Sequence, residues 1–410
     1  MDSTASEKEQ LRQEKKALRE EKKKLKKLQL QQEGQTQDSA TMLPPPTPYR
    51  RVWRSTFRHR PITIMSHNIL AQNLCKRTVH PLAGDMLKWK LRRRMVIEEL
   101  TYYQPDLMCL QEMDNYDEFY KDELAKLGYT TLFQRHETKR HGCLIGYKDD
   151  VWKQIEYRTL DYDTDTSCKP AQTTGNIGQL VALAFRNDDG EPHSGVVLGN
   201  THLYWRPNSN YERCRQAMIY MHHLMALKNE LGKKDPADHW VPLMLGDFNT
   251  QPTDPFYSIV TGKPLTNEHL HALEISRRPF GDGPEIDDAT QPLEDLSLCS
   301  DLKDIHELMA LIGPDETMQS VYSHHKRLWD QQQRGADISE TDHNRYGVGE
   351  PDYTNYAHDF KGTLDYMFIP NQAVILNILM LPPKHIVQPA LPNCHFGSDH
   401  VSLMAEVLLP

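Results

Sequence analysis

Residues 241–249 read Val-Pro-Leu-Met-Leu-Gly-Asp-Phe-Asn, a run of apolar residues followed by glycine, an acid, an aromatic and an amide. A short apolar run of this length, bounded by a turn residue, is typical of a buried strand. We therefore predict a strand over Val241–Leu245. Asp247 and Asn249 would then lie just beyond its end, where a strand of an open sheet presents side chains to a crevice.

Polar residues follow three earlier apolar runs in the same way. The three pairs of run and polar residues are Ile62–Met65 with His67-Asn68, Leu107–Leu110 with Glu112, and Val196–Leu198 with Asn200-Thr201-His202. Buried strands that converge at one end of a sheet would bring these polar groups together. Clustered carboxylates are costly to bury unless a metal or protons neutralise them. The pattern therefore predicts a divalent cation at this place.

The predicted cluster contains carboxylates, amides and imidazoles but no thiolate, a set that suits Mg²⁺ or Mn²⁺ better than zinc. Mg²⁺ keeps several waters and commonly bridges to substrate phosphate, which indicates phosphoryl chemistry. Asp247 would orient or deprotonate the attacking water, and Asn249 would hold a phosphate oxygen. A carboxylate near His400 would raise the pKa of its imidazole, so that it would bind phosphate as a cation; Asp399 is its neighbour in sequence.

The remaining pattern is that of a layered α/β protein, in which amphipathic segments alternate with apolar runs. We predict one helix over Met86–Tyr103 and another over Tyr211–Leu231, with Gly232 as the C-terminal stop of the second. Leu364–Ile369 and Val401–Leu408 are predicted to be two further strands.

The chain divides into a charged segment at residues 1–48 and a catalytic domain at residues 49–410. The first segment combines a helical or disordered tail with a Pro-rich linker, and leucines at 11, 18 and 25 make it a candidate for binding a protein partner. Within the domain, residues 262–355 are polar and acidic, which predicts a surface insertion with a short helix at Leu302–Leu311.

Composition excludes several classes of protein. The seven cysteines form no C-x-x-C pair, so neither a disulfide framework nor a structural zinc site is indicated. No stretch has the apolar length of a membrane span, and the charged N-terminus is not a signal peptide, so we expect the cytoplasm or nucleus. Beyond residue 33 the chain has 38 Lys and Arg against 50 Asp and Glu, which argues against a dedicated duplex-binding module.

Two local groups of basic residues stand out in this acidic body. Lys88, Lys90 and Arg92–Arg94 lie on the first predicted helix, and five arginines lie between Arg50 and Arg60, together with Trp53 and Phe57. A solvated face is the commoner explanation of such charges. An RNA-binding track is the alternative, because arginine and aromatic side chains together suit single-stranded nucleic acid.

Six motifs, in this order, resemble the exonuclease-endonuclease-phosphatase superfamily. The closest resemblance is to its carbon catabolite repressor four branch of deadenylase-like nucleases, which includes nocturnin, the Angel proteins and the yeast Ngl proteins. The motifs are Ser66-His67-Asn68-Ile69-Leu70, Leu110-Gln111-Glu112, Asn200-Thr201-His202-Leu203-Tyr204-Trp205, Leu245-Gly246-Asp247-Phe248-Asn249, Phe360-Lys361-Gly362-Thr363-Leu364-Asp365-Tyr366 and Ser398-Asp399-His400. This resemblance implies a DNase I-like α/β fold, a four-layer sandwich of two face-packed mixed β-sheets flanked by helices.

The resemblance also implies roles for individual residues. Metal ligands would be Asn68, Glu112 and Asp247; catalytic residues would be His202, Asp247, Asn249, Asp365, Asp399 and His400; Pro207 and Phe360 would hold a base between them. The alternative for Phe360 is an ordinary core aromatic. His141-Gly142-Cys143 departs from the Asp-Gly-Cys of many relatives, which puts a preference for adenine in doubt.

The activity implied is that of a Mg²⁺-dependent 3′–5′ exoribonuclease that trims RNA 3′ ends, in ribosomal RNA processing or poly(A) shortening, and releases 5′-monophosphates. No leucine-rich repeat precedes the nuclease region, so the chain resembles the shorter Ngl type rather than subunits of a large deadenylase complex. Two alternatives stay open. One is a nocturnin-like phosphatase acting on NADP(H), a phosphoinositide or another small phosphorylated molecule, and the other is an inactive RNA-binding scaffold.

Overall fold

The computed structural model describes residues 61–186, 194–236, 238–278, 301–313, 316–327 and 347–410. The predicted tail and linker at residues 1–48, and the arginines between Arg50 and Arg60, lie outside this part of the chain. In the described residues no helix is long and apolar enough to cross a membrane.

The strands, in chain order, are β1 (Ile62–Asn68), β2 (Leu107–Met113), β3 (Tyr129–Gln134), β4 (Gly142–Lys148), β5 (Trp152–Asp161), β6 (Ile177–Phe185), β7 (Ser194–His202), β8 (His239–Asp247), β9 (Met318–Ser320), β10 (Asn355–Tyr356), β11 (Lys361–Gly362), β12 (Asp365–Pro370), β13 (Val374–Ile378) and β14 (Leu403–Leu408). The α-helices are α1 (Trp89–Tyr103), α2 (Lys121–Lys126), α3 (Asn210–Lys234), α4 (Pro255–Val260), α5 (Asn267–Ser276), α6 (Ile305–Met309) and α7 (Lys384–Val387).

Twelve of these strands form two six-stranded mixed sheets. The first has the order β13-β14-β1-β2-β4-β3, and the second has the order β5-β6-β7-β8-β12-β9. The parallel pairs are β1 with β2 and β7 with β8, while the other neighbours are antiparallel. β10 and β11 form a separate two-stranded ribbon.

Three apolar cores separate four layers. The central core lies between the sheets and joins residues such as Ile64 of β1 to Val196 of β7. A second core packs α3 on the outer face of the second sheet, and a third packs α1 on the outer face of the first. The predicted sandwich of two face-packed sheets flanked by helices is confirmed.

All six predicted strands and both predicted helices are present, with shifted ends. The helix over Asn210–Lys234 continues through Gly232, so the predicted stop at this glycine is wrong. Gly232 has an ordinary helical conformation there, and the helix ends only where Asp235 becomes extended. A glycine marks a helix end only when the backbone turns left-handed at that residue.

Parts of the polar region at 262–355 belong to the folded body. Its described segments contribute Leu273, Leu308, Met318 and Tyr322 to the apolar cores, all of them buried. The short helix predicted at Leu302–Leu311 is present as α6. Residues 279–300 and 328–346 of the predicted insertion lie outside the described residues.

Candidate active site

Strand register brings the predicted site residues together at one end of the sandwich. In the parallel pair β7 and β8, His202 lies opposite Asp247, and in the antiparallel pair β8 and β12, Asp247 lies opposite Asp365. In the first sheet Asn68, the last residue of β1, pairs with Gln111 of β2, next to Glu112. The two sheets therefore present their polar ends to the same crevice.

The Asn68 amide connects the acids of the two sheets. Its nitrogen Nδ2 donates to Glu112 Oε1 at 3.2 Å and to Asp247 Oδ2 at 2.9 Å. Its oxygen accepts from the backbone N–H of Leu70 at 3.0 Å. A buried donor placed between two carboxylates reduces their mutual repulsion, as a cation at the same place would.

Glu112 is directed into the crevice by an irregularity of β2. The pairing of β2 with β4 shifts between Leu110 and Met113, and Glu112 has a left-handed backbone with φ of 56°. β-Bulges of this kind re-aim a side chain near functional sites. The Glu112 carboxylate is fixed there because its Oε2 accepts from the backbone N–H of Ala71 at 2.9 Å.

Asp247 is buried at the centre of the crevice. Its Oδ1 accepts from the backbone N–H of Asn249 at 2.9 Å, while the Nε2 atoms of His202 and His400 lie 3.7 Å and 3.8 Å from its Oδ2. Burial, reinforced by the negative charge of Asp365, raises the pKa of Asp247 to about 7. A carboxylate with a pKa near neutrality is suited to accept a proton from water.

His400 is held by Asp365, not by its neighbour in sequence. His400 Nδ1 lies 2.8 Å from Asp365 Oδ2, and the Thr354 hydroxyl donates to the same oxygen at 2.6 Å. Burial alone would lower the pKa of His400, but the charges of Asp365 and then Asp247 outweigh it and raise that pKa well above its usual value. Asp399, the sequence neighbour, contributes less than either.

The two histidines of the crevice differ in charge. Burial lowers the pKa of His202 well below its usual value, and the positive charges of Lys139 and His400 add to the effect. His202 is therefore neutral near pH 7, whereas His400 is an imidazolium. One ring offers a neutral hydrogen bond to a phosphate oxygen, and the other offers a full positive charge.

The residues of the crevice fit a hard divalent cation. One carboxylate oxygen each of Asp247 and Asp365 lie within 4.8 Å of each other and are buried, beside the His400 imidazolium, which has no lone pair free for a metal. Asp365 Oδ1 is buried and has no hydrogen-bond partner among the described residues, a costly state for a carboxylate oxygen unless a ligand approaches it. The Asn68 oxygen faces Leu70 instead, so it would reach a cation only after the amide turns over. Its role as a metal ligand stays a prediction.

The other predicted residues lie around this crevice. Asn249 has a left-handed backbone with φ of 48°, and its Nδ2 donates to the Leu203 carbonyl at 2.9 Å. Pro207 follows β7 and is exposed. Phe360 lies between β10 and β11 and is 37% exposed, so the core-aromatic alternative is wrong. The base clamp of Pro207 and Phe360 stays a prediction.

Arg92 joins two catalytic loops, a role that its sequence context does not indicate. Its neighbours Lys88 and Lys90 predict that Arg92 belongs to a basic surface, but Arg92 is 1% exposed, so that prediction is wrong. Its guanidinium donates to the carbonyls of Ile69, at 2.6 Å, and Leu70, which follow Asn68, and to the Gly397 carbonyl at 2.6 Å.

Thr354 is the second functional residue that sequence reasoning missed. Its hydroxyl accepts from the backbone N–H groups of Leu364 and Asp365 while donating to the Asp365 carboxylate. Thr354 lies in the polar region at 262–355, where no motif distinguishes one hydroxyl from another. Because Thr354 holds one carboxylate oxygen of Asp365, it also sets the direction in which the other oxygen, Oδ1, points.

Comparison with known proteins agrees with this geometry. The model of the endonuclease/exonuclease/phosphatase family matches residues 65–400. The chain is 33% identical, over 84% of its length, to a probable RNA exonuclease of Schizosaccharomyces pombe, of which the match covers 76%. It is 28% identical, over 88% of its length, to the RNA exonuclease NGL2 of Saccharomyces cerevisiae, of which the match covers 81%.

Solved structures show the same fold. The crystal structure of ANGEL2, a 2′,3′-cyclic phosphatase, aligns with a TM-score of 0.64 at 21% identity, over 85% of this chain and 95% of that one. The catalytic domain of human nocturnin aligns with a TM-score of 0.52 at 21% identity, over 85% of this chain and 94% of that one. Both alignments extend over nearly the whole described sandwich.

Proposed function

The chain belongs to the endonuclease/exonuclease/phosphatase family and is a hydrolase acting on phosphate esters, and from this premise we propose that it is a Mg²⁺-dependent 3′–5′ exoribonuclease. The observation that carries the proposal is the buried cluster of Asp247, Asp365 and His400, in which one carboxylate oxygen has no partner in the part of the chain that the structure describes. The printed names of the two yeast relatives support RNA as the substrate.

Hydrolysis by this cluster requires a base, a positive charge and a position for the phosphate. A water held by Asp247 and Asn249 attacks the phosphorus of the terminal phosphodiester, and its proton passes to the Asp247 carboxylate. The bond from phosphorus to the 3′ oxygen of the preceding nucleotide breaks, and that oxygen takes a proton from solvent water, to which Asp247 returns the proton it accepted. A nucleoside 5′-monophosphate and an RNA shorter by one residue are the products.

The two histidines act on the phosphate oxygens during this step. The His400 imidazolium, kept charged by Asp365, stabilises the negative charge that develops there. His202 is neutral, and it donates a hydrogen bond to a phosphate oxygen without first taking up a proton from solvent. Preorganised donors of this kind contribute more in a buried site than in water.

Glu112, Asp247 and Asp365, with Asn68 after its amide turns over, are the residues that would hold Mg²⁺. When bound, the cation neutralises phosphate charge and lowers the pKa of a bound water. The donor atoms are oxygens, which favours Mg²⁺ or Mn²⁺ over softer metals. The Asp365 oxygen that lacks a partner would then have one.

We assign the physiological role to trimming of RNA 3′ ends rather than to removal of poly(A) alone. His141 stands beside the phosphate site, with its ring centroid 6.2 Å from that of His202. Burial, the largest effect, lowers the pKa of His141. An acid at this position would only accept a hydrogen bond, as from the amino group of adenine, whereas a neutral imidazole can also donate one. Discrimination of adenine from the other bases is therefore weaker with His141.

The test compares wild-type protein with Glu112→Gln on 5′-labelled RNA. Poly(A), mixed-sequence RNA and DNA of the same length are incubated with Mg²⁺, and NADP is a separate substrate. We expect a ladder shortening from the 3′ end on both RNAs, and a loss of about 100-fold or more in Glu112→Gln, in line with removal of a group that stabilises the transition state.

The matched control is Glu230→Gln, which removes an exposed acid near the C-terminal end of α3, where it pairs with Arg158 of β5. Its rate should equal that of the wild type. Phosphate release from NADP with intact RNA would replace the proposal by the phosphatase alternative, and a protein inactive on every substrate would favour the scaffold. Activity that persists in EDTA would refute the metal assignment.

A further inference from the structure

A cavity of about 510 Å³ opens beside the catalytic crevice, on the side of the first sheet. The segments around it are the turn after β1, the segment after β2 and the β3–β4 loop. Gln72 and Asn73 line it and follow Ala71, whose backbone N–H binds Glu112, and Asp114 lines it two residues after Glu112. The cavity and the proposed metal site therefore share one wall.

One side of the cavity is a fixed aromatic surface. The rings of Tyr116 and Phe133 stack with centroids 4.7 Å apart and an angle of 20° between their planes. The Tyr116 hydroxyl is hydrogen-bonded to the Thr131 hydroxyl at 2.8 Å, which keeps the ring in place. Both rings are half-buried, so part of each is open to the cavity. A ring held in this way is a platform on which a nucleobase of any sequence can stack.

The charged groups of the cavity match the remaining parts of a ribonucleotide. Arg135 and Arg140 are exposed and line it, and Arg135 Nη1 is positioned by a hydrogen bond to the Lys139 carbonyl at 2.7 Å. Asp117 and Glu118 are exposed on the same lining. Guanidinium groups bind phosphate, while carboxylates accept hydrogen bonds from ribose hydroxyls and repel phosphate. The arginines therefore suit the phosphate of one nucleotide, and the carboxylates suit its ribose.

We propose that this cavity, which we call the Arg140 cavity, binds a nucleotide of the RNA on the side of the scissile phosphate that remains with the shortened chain. The proposal rests on the proposed function and deepens it. Pro207 and Phe360 lie on loops of the second sheet and of the small ribbon, on the other side of the catalytic crevice from the cavity's strands. The scissile phosphate would lie over Glu112 and Asp247, between these two places.

Acceptors for a 2′-hydroxyl give the Arg140 cavity a preference for RNA over DNA. DNA lacks the 2′-hydroxyl that would donate a hydrogen bond to Asp117 or Glu118. Both carboxylates would then repel the phosphates of DNA with no hydrogen bond to offset the repulsion. The catalytic crevice alone contacts only phosphate in the proposed mechanism. Discrimination between RNA and DNA would then depend on the Arg140 cavity.

The first experiment measures binding without cleavage. Binding of a fluorescent RNA octamer, and of the DNA of the same sequence, is measured by fluorescence anisotropy with Mg²⁺ present. The parent protein is Glu112→Gln, which does not cleave the RNA. Two variants of this parent are compared with it: the arginine variant, with Arg135→Gln and Arg140→Gln, and Tyr116→Leu. We expect RNA affinity to fall by about tenfold, since one base stack is worth roughly 1–3 kcal/mol. The preference for RNA over DNA should fall in protein with Asp117→Ala and Glu118→Ala, whereas the arginine variant should bind both RNA and DNA less tightly. Arg140→Lys should retain most of the affinity because it keeps the charge.

The control is Arg186→Gln, which removes an exposed arginine at the end of β6 far from the crevice. RNA affinity in the cavity variants equal to that of this control would overturn the proposal, as would failure of the parent protein to bind the octamer. Thermal unfolding of each variant separates loss of the Arg140 cavity from loss of fold.

The second experiment separates the cavity from the proposed function itself. The kcat/KM of proteins with intact Glu112 is compared on an octamer and on the p-nitrophenyl ester of a nucleoside 5′-monophosphate, of which only the octamer places a nucleotide in the Arg140 cavity. The wild-type ratio should exceed that of the arginine variant by about tenfold, whereas an equal ratio would contradict the proposal. If the wild type binds RNA through the Arg140 cavity but cleaves none, the exoribonuclease assignment fails and the binding site stands.

Discussion

Replacement of Arg92 by methionine is expected to damage stability and catalysis together, because one buried guanidinium fixes both catalytic loops. It binds the carbonyls of Ile69 and Leu70 on the loop after Asn68, and the Gly397 carbonyl on the loop before His400. Methionine fills much of the same space but offers no donor. The change therefore isolates the hydrogen bonds from the packing.

The size of the effect follows from the number of acceptors. Three buried carbonyls lose a charged donor, and each unsatisfied group costs about 1–3 kcal/mol. We expect the free energy of unfolding to fall by about 3–6 kcal/mol, a large part of the roughly 5–15 kcal/mol that a domain possesses. A displacement of about 1 Å between Asn68 and His400 would lower kcat about 100-fold.

Urea unfolding gives the free energy, and hydrolysis of the RNA octamer under the same conditions gives kcat and KM. Arg94→Met on the same helix is the matched control, since Arg94 Nε lies 3.3 Å from Glu98 in a surface ion pair. Such pairs contribute about 0–1 kcal/mol. Arg92→Lys should recover part of the stability and less of kcat, because an ammonium cannot reach all three carbonyls. An Arg92→Met protein that matches Arg94→Met in both measurements would refute the reasoning.

Three other changes have definite expected outcomes. Burial raises the pKa of Glu350 from 4.5 to about 7, and the Tyr257 hydroxyl donates to its carboxylate. Because the folded state favours the protonated form, the free energy of unfolding falls by about 3 kcal/mol as the pH rises from 4.5 through 7. Glu350→Gln should therefore be more stable than the wild type in urea at pH 8 but not at pH 5; an equal difference at both pH values would contradict this. In Gly246→Ala the new Cβ would lie 2.3 Å from the Thr201 carbonyl oxygen, so β7 and β8 must separate, and we expect a lower melting temperature, a loss of about 1–3 kcal/mol and slower hydrolysis. Phe360→Ala should raise the KM for RNA by about fivefold or more without lowering the melting temperature, whereas an unchanged KM would contradict the base clamp.

The layered fold and the strand ends of the site could be predicted because both depend on short-range patterns. Asn68, Glu112 and Asp247 each follow an apolar run, and buried runs of this kind are strands that meet at one edge. Their positions in the sequence therefore predict that they lie close together in the fold. The resemblance to a known family added Asp365 and His400 to the same site.

The partners of these residues could not be predicted, because they depend on register and on long-range contacts. Asp399 is adjacent to His400 in sequence, but successive residues of extended chain point to opposite sides. The register of β12 against β8 places Asp365 beside Asp247 instead, and His400 reaches it from another segment. Arg92 contacts Gly397 across 305 residues, a distance over which no local pattern carries information.

The contact between the loops of Asn68 and Ser398 has a consequence for the synthesis of the protein. The Ser398 hydroxyl donates to the Asn68 carbonyl at 2.7 Å, and these residues are 330 positions apart in the chain. Polypeptides emerge from the ribosome N-terminus first and fold in that order. A nascent chain therefore carries Asn68 and Glu112 for most of its synthesis without the imidazolium that completes the site. The catalytic crevice is therefore completed only when the segment that carries Ser398 and His400 docks against the loop after β1.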